Sequence, residues 1–255
     1  MIKNIFVSSV VAVTLLLASQ QAVATIVQVK TSLGDFEVNL FDQTTPVTVQ
    51  NFLAYVNSGR YDQTVVHRSV PGFIIQGGGF RFVEQLPLTP IQTNAAIVNE
   101  PKLSNVRATI AMAKVPGNPN SATSQWFINL TDNSAGSPKL DTVEGAYTVF
   151  GQISAADMEV VMAIASLPTY SFNGIQGLPL RNYTANDRAN NVPLSAANMV
   201  TVESITVVDA RPDSAAGLNP QPNTLLPDPE ESSSGSSSLG LLLLGPLLWW
   251  RRRQQ

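Results

Sequence analysis

The sequence predicts a mainly β protein, an antiparallel barrel or sandwich with helices over its open ends. Three observations carry this: about eight short runs with strand-like alternation, two stretches with helical spacing, and no regular succession of strand and helix. The domain opens with IVQVKTSLGDFEVNLF, two alternating runs around Ser32-Leu33-Gly34, which reads as a β-hairpin. TTPVTVQNFLAYVNSG follows, with a Thr cap, Pro46 at the first helical position, and Val49, Phe52, Leu53 and Val56 at helical spacing before Gly59 stops the pattern. VVHRSV, FIIQGG, ATIAMAK, SQWFINL and YTVFGQI read as further strands, AADMEVVMAIASL as the second helix, and NMVTVESITVVDA as the last strand. Residues 81–99 and the polar, proline-punctuated stretch 170–193 read as surface loops. No internal repeat is present.

The composition, 44% hydrophobic and 13% charged over 255 residues, is that of a globular protein with a sizeable core. Fifteen basic residues, less the terminal Lys3 and Arg251 to Arg253, leave eleven against eighteen acidic ones, which argues against nucleic acid as a partner. The absence of cysteine excludes thiolate catalysis, disulfides and cysteine-ligated metals.

Both ends carry processing signals. Lys3, the apolar IFVSSVVAVTLLLA and the small residues Ala22-Val23-Ala24 make residues 1–24 a secretory signal peptide, and about 14 apolar residues are too few for the ~20-residue membrane span. The expected domain then covers residues 25–210, a Pro/Ser-rich linker 211–238, and a short apolar and basic segment 239–255. In ESSSGSSSLGLLLLGPLLWWRRRQQ the paired tryptophans and arginines suit transient membrane contact. The pattern resembles the GlyGly-CTERM class of bacterial sorting signals, with serine largely replacing the glycine pair.

Chemistry is concentrated in HRSVPGFIIQGGG, residues 67 to 79. A Ser-His-Asp hydrolase would use His67, yet no G-x-S-x-G elbow and no second histidine exist. One histidine among scattered carboxylates gives no metal site. Gly77-Gly78-Gly79 opens no helix and lacks Lys-Ser/Thr, so it is not a phosphate loop, and backbone clearance or a turn accounts for the glycines. What remains is Arg68 beside Phe73, Ile74 and Gln76, a pattern that alone favours a structural salt bridge over function.

The balance changes with AMAKVPGNPNSATSQWFINL, residues 111 to 130, and GAYTVFGQI, residues 145 to 153. Together these motifs resemble the cyclophilin family of peptidyl-prolyl cis-trans isomerases, over about residues 25 to 209 and in the manner of its bacterial periplasmic members. The resemblance implies a closed eight-stranded antiparallel barrel capped by two helices. It places Arg68 as the catalytic residue, Phe73, Ile74, Phe127 and Leu140 at the proline pocket, and Gln76 and Gln125 at polar substrate contacts. It places Ala113 and Lys114 on the segment that pairs with substrate backbone, and Tyr147 where many relatives have histidine. Val66, Lys114 and Trp126 depart from the family pattern, and no tryptophan stands near Leu140. The implied protein is a monomeric periplasmic isomerase, possessing no metal or cofactor, that acts on proline-containing exported polypeptides. A reading from another class is a cyclophilin-fold module that captures proline segments without turnover.

The residue types suit rotation about X-Pro. The barrier of ~18–20 kcal/mol arises from amide resonance, so the catalyst must favour the twisted amide over both planar forms. A twisted prolyl nitrogen recovers its lone pair, and a fixed guanidinium donor such as Arg68 stabilises that state selectively.

Overall fold

The computed structural model describes residues 25–172, 174–211 and 218–226. The expected signal peptide and the 239–255 segment lie outside the described residues. In the first hairpin, β1 (Ile26–Thr31) and β2 (Gly34–Leu40), alternation puts Val27, Val29, Phe36, Val38 and Leu40 on one face, each at most 2% exposed. Ahead of β1, the Thr25 backbone N–H donates to Asp42 Oδ2 at 2.8 Å and the Thr25 hydroxyl to Oδ1 at 3.0 Å.

Pro46 opens helix α1 (Pro46–Asn57), whose Val49, Phe52, Tyr55 and Val56 are buried. Thr45 holds the cap position, but its hydroxyl turns to the Phe41 carbonyl. The cap comes from elsewhere: Glu100 accepts from the Thr48 N–H at 2.9 Å and its hydroxyl at 2.8 Å. An acidic side chain there also suits the positive end of the helix dipole.

The remaining strands are β3 (Thr64–Val65), β4 (Arg68–Val70), β5 (Ile74–Gly77), β6 (Phe80–Val83), β7 (Gln85–Pro90), β8 (Thr109–Met112), β9 (Trp126–Asn129) and β10 (Val149–Ile153). Helix α2 (Met158–Ala165), the ribbon β11 (Thr169–Phe172) and β12 (Ile175–Pro179), the short helix α3 (Ala185–Ala189) and β13 (Thr201–Asp209) follow. Among the described residues, eleven strands form one antiparallel sheet in the order β4-β5-β9-β8-β10-β2-β1-β13-β3-β6-β7. Its inner face and helices α1 and α2 enclose the main core, which includes Phe36, Phe52, Tyr61, Trp126, Phe150 and Val161.

The expected closed eight-stranded barrel is corrected. The sheet is an open, strongly curled half-barrel with β4 and β7 as its end strands and no ladder joining them. The curl is such that β3 and β4 are consecutive pieces of VVHRSV: the Val66 N–H bonds the Val200 carbonyl at 2.9 Å, while the His67 N–H bonds the Gln76 carbonyl at 3.0 Å. A second ribbon covers the β4 end instead. The β12 ribbon packs on it, with an added Cβ at Gly177 only 2.8 Å from the Ser69 carbonyl. At the other end, Pro87 and Pro90 in β7 cannot donate to a further strand.

Two stretches read as loops are ordered structure. Within 81–99, β6 continues from Phe80 and pairs with β7, and within 170–193 lie β12, most of β11, and α3. They form because a separate apolar cluster, with Val65, Leu88, Leu178, Leu180, Tyr183 and Met199 buried, pins both against the sheet. Part of the expected linker is also held. Leu103 pairs with Pro222, the Ser104 N–H bonds the Gln221 carbonyl at 2.8 Å, and the Asn223 N–H bonds the Lys102 carbonyl at 2.9 Å.

Candidate active site

Register across neighbouring strands sets the site. Arg68 stands opposite Gln76, Gln76 opposite Phe127, Phe127 opposite Ala111, and Ala111 opposite Val149. Directly opposed residues share a sheet face, so this row lies on one side, with Ile74 two residues from Gln76. Its strand neighbours Ile75, Ile110, Met112, Trp126 and Ile128 belong to the main core on the other side. The site therefore occupies the outer face of the curl.

Phe73 is delivered by a tight turn. Its N–H bonds the Val70 carbonyl at 3.0 Å, with Pro71 and Gly72 between them. Gly72 has φ 70°, the conformation required at the third position of a type II turn. Behind the pocket, the Phe73 carbonyl accepts from Asn133 Nδ2 at 3.0 Å, and Asn133 Nδ2 also donates to Asn129 at 2.8 Å. Asp141, next to Leu140, accepts from the Asn105 N–H at 2.7 Å, from Asn105 Nδ2 at 2.9 Å and from the Ser104 hydroxyl. The apolar wall is thus fixed from behind by satisfied buried polar groups.

The structure brings Phe73, Ile74, Ala113, Phe127, Leu140 and Tyr147 into one apolar cluster. Phe127 and Tyr147 meet edge to face at 5.6 Å between ring centres. Beside them runs a polar chain: Arg68 Nη1 lies 3.4 Å from Gln76 Oε1, and Gln76 Nε2 donates to Gln125 Oε1 at 2.8 Å. Arg68 forms no ion pair with any described carboxylate, so the salt-bridge reading of this arginine does not hold. The Ala113 N–H is taken by the Gln125 carbonyl at 2.9 Å.

Lys114 lies at the edge of the apolar cluster, against Tyr147. Its ammonium bonds the carbonyls of Glu144 and Ala146 and lies 4.6 Å over the Tyr147 ring, latching the turn that precedes Tyr147. Desolvation lowers the Lys114 pKa to about 8, partly opposed by Glu144. The Tyr147 hydroxyl is pushed up, mainly by desolvation and also by Glu144, with Arg68 acting in the opposite sense.

The glycines clear space, as their run suggested. An added Cβ would lie 2.8 Å from the Trp126 ring at Gly77, 2.6 Å from its Nε1 at Gly78, and 2.8 Å from the Gln125 side chain at Gly79. Sequence reasoning missed Phe41, Leu103, Ala111, Val149 and Leu218, all members of the pocket cluster. Ala111 and Val149 were within reach, being two residues along the chain from Ala113 and Tyr147. Leu103 and Leu218 come from irregular chain that carries no periodicity.

A cation and two amides thus stand beside an apolar pocket on an antiparallel β scaffold. Comparison with known proteins gives the family. The model of the cyclophilin type peptidyl-prolyl cis-trans isomerase/CLD family matches residues 26–184, and the chain belongs to that family. A peptidyl-prolyl cis-trans isomerase of Acinetobacter baylyi is 40% identical over 167 residues, covering 64% of this chain and 85% of its own. Peptidyl-prolyl cis-trans isomerase B of Escherichia coli is 39% identical over 142 residues, covering 54% and 83%. Among solved structures, a cyclophilin type isomerase of Cryptosporidium parvum shares the fold with TM-score 0.52 and 23% identity, over 73% of this chain and 98% of that one. The chain is a peptidyl-prolyl cis-trans isomerase.

Proposed function

We propose that this isomerase accelerates rotation about X-Pro bonds of exported polypeptides, as a monomer of the bacterial periplasmic type, and so assists their folding. The observation that carries the site assignment is the row of Arg68, Gln76 and Phe127 on one sheet face, with the apolar cluster against it. Phe73, Ile74, Phe127 and Leu140 would bury the prolyl ring while the preceding carbonyl rotates. Arg68 would donate to the prolyl nitrogen as it becomes pyramidal, an interaction stronger in the twisted amide than in either planar form. Gln76 orients the guanidinium and, with Gln125, Ala113 and the backbone of Lys114, would hold the substrate chain. A structure of the Cryptosporidium parvum relative in the presence of the dipeptide Ala-Pro accords with a proline-containing ligand. The signal at 1–24 would direct export, and the segment at 239–255 would act as a sorting signal in transient membrane contact.

The test of the mechanism is Arg68→Ala in an isomerisation assay. The expected result is a fall in kcat/KM of about tenfold or more, ~1.4 kcal/mol of transition-state stabilisation, with the fold intact. Unchanged turnover in the folded variant removes Arg68 from the mechanism, and peptide binding without acceleration by the parent protein overturns the enzyme reading.

A further inference from the structure

Beyond the Arg68 end of the row lies a cleft of about 760 Å³ that the proline pocket does not include. Its floor carries His67 and Arg68. Its walls are Phe80 and Leu88 from the β6–β7 hairpin and Phe172 and Ile175 from the β11–β12 ribbon, with Ser171 and Gln176 at the rim. Apart from Phe80, these wall residues come from the two stretches expected to be surface loops. The walls are braced: the Phe80 and His67 rings meet edge on at 4.9 Å, and Arg188 covers the Phe172 ring at 4.8 Å while donating to the Ser171 carbonyl at 3.3 Å. A cleft with apolar walls between a polar floor and a polar rim, already formed without a ligand, has the make-up of a binding pocket.

We propose that this cleft is a second substrate subsite, which takes a large apolar or aromatic side chain of the same polypeptide whose proline occupies the first pocket. The inference rests on the isomerase reading and adds a sequence preference to it. Continuity supplies the occupant. Arg68 lines the cleft and also ends the row that runs through Gln76 to Phe127, so a chain crossing the sheet from the proline pocket over Arg68 enters the cleft directly. Phe127 is two strands from Arg68, about 10 Å at the ~4.8 Å strand spacing, which an extended peptide covers in about three residues. The selected side chain is therefore about the third from the proline, on the Arg68 side.

The experiment measures turnover by NMR exchange for alanine peptides around a single proline, with one phenylalanine moved through the four positions on each side. Phenylalanine near the third position on one side is expected to raise kcat/KM about tenfold over alanine, the scale of burying one aromatic side chain. Ser171→Trp, which fills the cleft from its rim, is expected to bring that ratio to about one. Ile175→Ala, which removes wall atoms, is expected to lower the ratio and gives the reading should Ser171→Trp fail to fold. A profile flat across all positions, or a ratio unaltered in the folded variants, overturns the subsite. Failure of the activity reading is distinct: the all-alanine peptide is then not turned over. Peptide affinity reads the cleft in that case, with the same gain and the same loss expected.

Discussion

Arg68 and His67 are neighbours in the chain with opposite electrostatic fates. Arg68 keeps its guanidinium on the outer face, where Gln76 aims it, whereas His67 is only 8% exposed and packs against Phe80. Burial lowers the His67 pKa to about 4, helped by the Arg68 charge and opposed by hydrogen bonds with Val65 and Gln125. The single histidine therefore stays neutral at ordinary pH and adds no competing cation beside Arg68. A cost appears in acid. Above pH ~6.5 both folded and unfolded chains carry neutral histidine, but between ~6.5 and ~4 the unfolded chain takes up a proton that the folded chain refuses. Stability from this group is complete above ~6.5 and falls as pH drops towards 4, by ~3 kcal/mol in all. Urea unfolding at pH 7 and pH 4.5 is expected to show this loss in the parent protein and its absence in His67→Gln. An equal loss in both would place the sensitivity in the carboxylates.

Across elements, β5 and β9 form the hinge between core and site. Their period of two sends Gln76 and Phe127 outward and Ile75, Trp126 and Ile128 inward, so residues of opposite duty alternate along each strand. That alternation made the central strands readable from sequence. The expected pocket residues, like Arg68, Gln76 and Gln125, came from the motif matches, which periodicity could not supply. What escaped was fixed by partners distant in the chain: the cap from Glu100, the Asn133 and Asp141 supports, and the two ribbons held by their own apolar cluster. Closure escaped too, because a sheet's ends depend on which strands find a donor, and neither prolines in β7 nor a packed ribbon on β4 offers one. Gly77 and Trp126 give a direct test of packing between these strands. Trp126 stands where the family pattern has phenylalanine, and its ring fills the space that a Gly77 side chain would need. Gly77→Ala is expected to destabilise the parent by ~1–3 kcal/mol through overpacking, and to cost at least ~1 kcal/mol less in a Trp126→Phe background. Denaturant unfolding of the four chains measures this coupling, and additive effects would exclude it.

At the scale of the whole molecule, both ends of the described residues are held on the domain. Residues 218–226 lie along Lys102 to Ser104, with Asn223 Nδ2 donating to the Asp141 carbonyl at 2.9 Å and Leu218 against the pocket cluster. Part of the stretch expected to be a Pro/Ser-rich linker is thus held on the domain, since Gln221 and Asn223 supply backbone groups that flank Pro222. At the other end, the expected removal of residues 1–24 would have a chemical consequence. Thr25 is 5% exposed and its backbone nitrogen already faces Asp42 Oδ2 at 2.8 Å. Removal of residues 1–24 would turn that amide into a free α-amino group, protonated below about pH 8, and a hydrogen bond into an ion pair. The mature chain would then be tied more firmly than its precursor by ~0.5–1 kcal/mol, a gain that fades as pH rises through the amine's pKa. Thermal unfolding at pH 6.5 of a chain starting at Thr25, and of one retaining residues 1–24, is expected to show the difference. Asp42→Asn should abolish it; a difference that survives in that variant would mean the new amine has no such role. Export would in this way leave its own chemical seal on the fold, a charge created by the protease where the Asp42 carboxyl group already stands.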